Sequence, residues 1–287
     1  MNKAWQDKAV RLTLTGAASM AVLIVILIFF FLGREAMPFF KERGIGDLLG
    51  TRWMPVSFQK ELYGVLPLIT GSFVVTVLAT VLAIPFGVCG AVYIAEIARR
   101  GEKEFLKPFI ELLAGIPSVV LGFFGLMVVA PLVKEVFGLG SGLTALTGAL
   151  LLALMAIPTI MSISEDAITS VPASYKEASL ALGASRLETI WKVTVPAARS
   201  GIVAAVMLGM GRVIGETMAV MMVTGNAAIL TLSPFESVRT MTATIAAEMG
   251  EVAFGSVHYA ALFCIGLILL ATTFGLNLVA RRVLRRK

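Results

Sequence analysis

Residues Gly201 to Gly225 read GIVAAVMLGMGRVIGETMAVMMVTG, an apolar run of membrane-spanning length interrupted by one arginine, Arg212, and one glutamate, Glu216. A stretch of about 20 apolar residues crosses a bilayer as a helix. An arginine near the middle of such a helix costs about 2.5 to 3.5 kcal/mol on insertion scales, so it requires a partner, a cavity or a task. On an unbroken helix the four-residue spacing sets Arg212 and Glu216 on one face. Two readings follow: an internal ion pair that carries the arginine through lipid, or a polar station on a transport path.

Working outward from this run, the whole chain reads as membrane protein. Of its 287 residues 58% are hydrophobic, and the mean hydropathy is +0.92, more apolar surface than a soluble core can bury. Charge-free stretches run from Leu12 to Leu32, Leu62 to Ala95, Leu112 to Val133, Val136 to Ser164 and Val252 to Ala280. Each is long enough to span a bilayer. With the Arg212 run they predict an all-α polytopic membrane protein of six transmembrane helices, each satisfying its own backbone hydrogen bonds as lipid requires. The first run is longer than the roughly 7 to 15 apolar residues of a cleaved signal peptide, and the GREAMPFF that follows offers no small-residue cleavage site, so it is read as retained.

Orientation comes from the cations. With a cytoplasmic N-terminus, sixteen of the 24 lysines and arginines fall on the inside: three before the first span, four in Arg99 to Lys107, four in Lys176 to Arg199 and five from Arg281 onward. That bias predicts a multi-pass membrane protein with both termini cytoplasmic. The basic pI of 9.5 is then a topology signal and does not point to nucleic acid. Cys89 and Cys264 fall in spans and predict no disulfide. His258, the one histidine, is expected to serve packing or the interface, and no cluster suggests a metal or a catalytic centre. Pro67, Pro85, Pro117, Pro131 and Pro158 sit in or at the ends of spans, where neighbours must absorb the freed carbonyls. The segment from Gly33 to Tyr63 reads as an external interfacial loop anchored by Trp53 and Tyr63.

Between two spans lies EASLALGASRLETIWKVTVPAA, Glu177 to Ala198. Ala178, Ala181, Leu182, Leu187 and Ile190 recur at roughly helical spacing, Gly183 permits a sharp turn, and Pro196 suits the first turn of the next helix. A cytoplasmic helical hairpin is the expected product.

Glu177, Ala178 and Gly183, followed by Val193, Val195 and Pro196, resemble the EAA loop of bacterial ABC importer permeases. Ser179 stands where that loop has its second alanine, and two valines replace isoleucine and leucine. The resemblance implies a type I importer permease fold with a cytoplasmic coupling helix, with Glu177, Ala178 and Gly183 coupling to an ATPase. IELLAGIPSVVLGFFG, Ile110 to Gly125, and LGMGRVIGETMAVMMVTGN, Leu208 to Asn226, resemble phosphate importer permeases, with GETMAV pointing to the PstC branch rather than its PstA sister. The implied function is ATP-driven phosphate import; the alternatives are another oxyanion, such as phosphonate, molybdate or sulfate, or the PstA-type role. The implied partners are a PstA-like sister permease forming a heterodimer, two cytoplasmic ABC ATPase subunits and a periplasmic or lipid-anchored phosphate-binding protein. The expected organisation is residues 1–61 as N-terminus, first helix and external loop, and 62–287 as a five-helix permease core with the EAA loop at about 172–196.

The chemistry expected of the site follows from its residues. A guanidinium offers a planar fork that meets two oxygens of a tetrahedral anion at once. Glu216 can accept the proton that hydrogen phosphate carries and sulfate lacks, or can hold Arg212 in position. Gly209, Gly211 and Gly215 flank the arginine, and the Gly211 to Gly215 step predicts close helix packing. Gly115, Pro117 and Ser118 predict a break whose N–H groups and hydroxyl line an anion path. Arg212, Glu216, Thr217 and Ser118 are therefore the expected path residues. No GxxxxGK[ST] loop occurs, so ATP and magnesium belong to a partner and the chain is not expected to be an enzyme or to hold a cofactor.

Overall fold

The computed structural model describes residues 3–57 and 59–285; Arg286 and Lys287, counted above among the inside cations, lie outside the described residues. Six helical stretches long and apolar enough to cross a membrane are present among them: Val10–Glu42, Leu66–Ile97, Ser118–Phe137, Ala145–Thr169, Arg186–Gly215 and Val257–Val279.

The first helix, α1 (Lys3–Glu42), does not stop at Gly33. It continues through Pro38 because Ala36 and Phe39 are fully buried, with the Phe39 ring edge-on to Tyr63 at 5.6 Å. After the single-turn α2 (Ile45–Leu48) come two short antiparallel strands, β1 (Trp53–Met54) and β2 (Leu62–Tyr63). Trp53 and Tyr63 are 4% and 2% exposed; they are core residues of this corner, contrary to the interfacial anchors expected.

The second span is α3 (Leu66–Val92), extended by a π-helical turn over Tyr93–Ile97. The third crossing departs from the expected Leu112 start. A separate helix, α4 (Arg100–Gly115), ends at a break, and α5 (Ser118–Phe124), a π-helical turn at Gly125–Val129 and α6 (Ala130–Phe137) continue from it. Glu111 therefore belongs to α4. The π turn ends two residues before Pro131, which has no N–H to give. Left-handed Gly138 (φ 61°) ends α6, which divides the apolar stretch at Val136. The fourth span, α7 (Ala145–Thr169), starts only after Thr144, whose side chain caps the amide of Thr147.

The hairpin follows as α8 (Ala173–Ala181), a turn at Gly183, and α9 (Arg186–Thr189). A third π-helical turn, Ile190–Thr194, joins α9 to α10 (Val195–Gly215) without interruption. The chain then breaks, forms α11 (Met218–Val223), loops to α12 (Met241–Glu248) and ends in α13 (Val257–Arg285).

The main core is α7 with α3 along one side and α10 and α11 along others, α5 packing against α11; Ala79, Ala83, Ala149, Leu152, Ala156 and Ile160 are buried in it. Small residues dominate because lipid supplies no hydrophobic drive between helices, and close backbone approach supplies van der Waals contact instead. A second core joins α1 to α13 and the paired strands. There Glu248 accepts from Trp53 Nε1 at 3.1 Å and Arg239 at 2.7 Å, and lies 2.8 Å from His258 Nε2.

Candidate functional site

Proline creates the first break. Pro117 disfavours helix at the residue before it, and Ile116 and Pro117 are extended, with ψ of 128° and 136°. The last carbonyls of α4 are thereby left without helical partners. Arg212, in the last turn of α10, reaches one of them: Nη2 donates to the Ala114 carbonyl at 3.2 Å, and Nη1 approaches Thr159 Oγ1 of α7 at 3.4 Å. A helix C-terminus carries roughly half a negative charge, which favours a cation there.

Glu216 does not neutralise Arg212. The helix ends at Gly215, and at Glu216 the backbone turns extended (φ −70°, ψ 134°), which redirects the chain that follows. Among the described residues no ion pair joins them. The Glu216 carboxylate instead caps the next segment, accepting from the Ala219 amide at 3.4 Å, while its main-chain carbonyl accepts from Thr242 Oγ1 at 2.8 Å. Thr217 donates to the Gly215 carbonyl at 3.2 Å and so closes the end of α10. A small cavity beside Glu216 is bordered by the hydroxyl residues Ser72, Thr76, Thr240 and Thr242.

Ser118 opens α5, four residues past Ala114. α5 runs against α11, the segment that Glu216 and Thr217 introduce: a Cβ on Gly122 would lie 3.0 Å from the Ala219 Cα. The four expected path residues therefore stand at two helix breaks packed side by side. Close packing falls to Gly209, where a Cβ would lie 2.6 Å from Ile160 Cγ1; around Gly211 and Gly215 nothing lies within 4 Å. The expected Gly211 to Gly215 contact is absent from this chain, and that flank is open. Thr159, Ala114 and Thr242 escaped sequence reasoning, since a carbonyl or threonine in a span carries no signal without the fold.

At the end of the bundle where α4 begins, Lys107 pairs with the buried Glu165 of α7 at 2.8 Å. The bond from Glu165 is the main reason the Lys107 ammonium is held above its ordinary range, opposed in part by burial.

The hairpin has the expected form. Gly183 is left-handed (φ 86°), a conformation that strains any residue with a Cβ. Ser185 and Glu188 form a reciprocal capping box that starts α9. Ser179, the departure from the EAA pattern, sits 3.0 Å from Thr189, hydroxyl to hydroxyl across the two arms. Glu177, Ala178 and Gly183 are exposed, and Leu182 is 90% exposed.

A six-helix bundle with a broken third crossing and an exposed helical hairpin is the fold of type I ABC importer permeases. One solved relative in fold is a bacterial alginate ABC transporter, with TM-score 0.65 and 16% identity over 99% of this chain and 98% of that one. Another is the MetNI methionine ABC transporter, with TM-score 0.58 and 20% identity over 77% of this chain and 93% of that one. The chain belongs to the family of binding-protein-dependent transport system inner membrane components, whose pattern matches residues 83–287. It is 42% identical to the probable ABC transporter permease protein YqgH of Bacillus subtilis, over 96% of this chain and 90% of that one. It is 36% identical to the phosphate transport system permease protein PstC of Mesorhizobium japonicum, over 95% and 88%. PstC 1 of Mycobacterium tuberculosis is 34% identical over 88% and 85%. The protein is thus a multi-pass permease subunit of an ABC importer and not an enzyme; the ATPase is a separate subunit, and an external binding protein completes the system.

Proposed function

We propose that this chain is the PstC-type permease subunit of an importer of inorganic phosphate, carrying the anion past Arg212 between two broken helices. The observation that carries the reading is the Arg212 guanidinium, placed at the junction of α4, α7 and α10 without a carboxylate of its own. The PstC relatives support phosphate as the anion.

A guanidinium has five N–H donors, and the two observed bonds leave others free for substrate oxygens. An arriving phosphate oxygen competes with the Ala114 carbonyl and so loosens the end of α4 from α10. Glu216, not engaged by Arg212, is available to accept the proton of hydrogen phosphate; an unprotonated oxyanion meets repulsion there. Thr217 and Ser118 supply hydroxyls at the same two breaks. The hairpin, through Glu177, Ala178 and Gly183, docks one of two cytoplasmic ATPases. A PstA-like sister completes the path against the open Gly211 and Gly215 flank, and both termini are cytoplasmic.

The test is uptake into proteoliposomes holding the complete complex, with ATP supplied and its binding protein outside. Saturable phosphate uptake, with sulfate and molybdate not taken up, is the expected result. Equal uptake of all three anions, or uptake of none, overturns phosphate as the substrate.

A further inference from the structure

Both arms of the hairpin are fastened to one residue outside it. Glu96 lies in the π-helical turn that ends the second span, and its side chain is only 12% exposed. Its carboxylate pairs with Lys176 Nζ of α8, and its main-chain carbonyl accepts from the Arg186 guanidinium of α9. One bond precedes the Gly183 turn and the other follows it. A movement of the hairpin as a unit therefore acts on Glu96 through two independent links. A pair this far out of water differs from an ordinary surface ion pair, because removing one partner leaves the other charge uncompensated.

The backbone on either side is suited to transmit such a movement. From Glu96 the second span runs back without a break to Leu66 at the opposite end of the bundle, packed along α7. The linked segments enter π-helical turns, Tyr93–Ile97 and Ile190–Thr194, and such turns are frequent at functional sites. Ile190 of the second turn is buried in one cluster with Ala91 and Val92 just before the first.

We propose that Glu96 is a positioning residue that joins the hairpin to the second span, so that ATPase movement displaces α3 together with α10. The proposal rests on the reading of the hairpin as the ATPase dock. It is tested with Glu96→Gln, Lys176→Met and the exchanged pair Glu96→Lys/Lys176→Glu in the complete complex, measuring co-purified ATPase, ATP hydrolysis and phosphate uptake in proteoliposomes. The two single variants keep the ATPase in wild-type yield and hydrolyse ATP, but phosphate moved per ATP falls about ten-fold. The exchanged pair recovers about a third or more of that ratio, as a direct interaction requires. An unchanged ratio in the single variants overturns the proposal, as does a loss that the exchange does not recover, or loss of the ATPase from the Glu96→Gln complex. Failure of the docking reading shows separately, as a Gly183→Arg complex that keeps its ATPase in full yield.

Discussion

Among the described residues Arg212 forms no ion pair, and its charge is met by a helix end and a hydroxyl. The geometry of the side chain then matters as much as its charge. Lysine keeps the charge but has no planar fork, and cannot hold Ala114 while presenting two parallel donors to an anion. Arg212→Lys is expected to lower uptake by about 100-fold at equal protein level, since a bidentate charge-assisted contact is lost; uptake near the wild-type rate in the same vesicles shows that charge alone suffices. Glu216 separates two roles in the same assay. As a proton acceptor, its replacement by glutamine still accepts through the amide carbonyl but no longer repels an ionised oxyanion. Glu216→Gln is therefore expected to preserve phosphate binding to the detergent-solubilised permease and to raise sulfate binding. A fall in phosphate binding with the preference unchanged assigns Glu216 to holding the backbone at the start of α11.

At the scale of elements, the sequence was most legible where a special residue dictates geometry. The break at Ile116 to Ser118 follows from Pro117, and the hairpin turn from Gly183. The break after Gly215 was not legible, because GRVIGET contains no proline and its apolar pattern continues as though helical. A contact from far along the chain and a local cap decide it: Thr242 holds the Glu216 carbonyl, and the Glu216 side chain starts the following segment. The first helix outruns its local sequence signals for a related reason. Gly33, Arg34, Glu35 and Pro38 look like a loop, yet burial of Ala36 and Phe39 keeps the segment helical. Where a local signal was read correctly, its removal has a local effect. Gly183→Arg is expected to leave the subunit inserted, because the spans do not depend on the turn, while abolishing ATPase binding: a bulky side chain at φ 86° distorts the exposed surface offered to the partner. Normal co-purification with intact transport refutes this.

Across the whole molecule, the two cores are stabilised differently. The α3, α7 and α10 core relies on small apolar residues, whereas the second core is tied by a polar knot in which Glu248 serves Trp53, Arg239 and His258. Sequence alone assigns His258 to packing or the interface and does not reveal its partners, which come from a helix and two strands. Glu248→Ala strands three groups in a partly buried setting and is expected to destabilise the purified subunit by about 3 kcal/mol, read as a lower midpoint of thermal unfolding in detergent. An unchanged midpoint shows that the knot is incidental. The number of spans, by contrast, was fully legible, because bilayer thickness fixes the length of apolar sequence each one needs.

The partners of Arg212 also have an order in time. Ala114 and Thr159 both precede it in the chain, and a protein leaves the ribosome N-terminal end first. Both acceptors are therefore made before the arginine is, and the charge that is most costly to bring into lipid never waits there for a partner still to be translated.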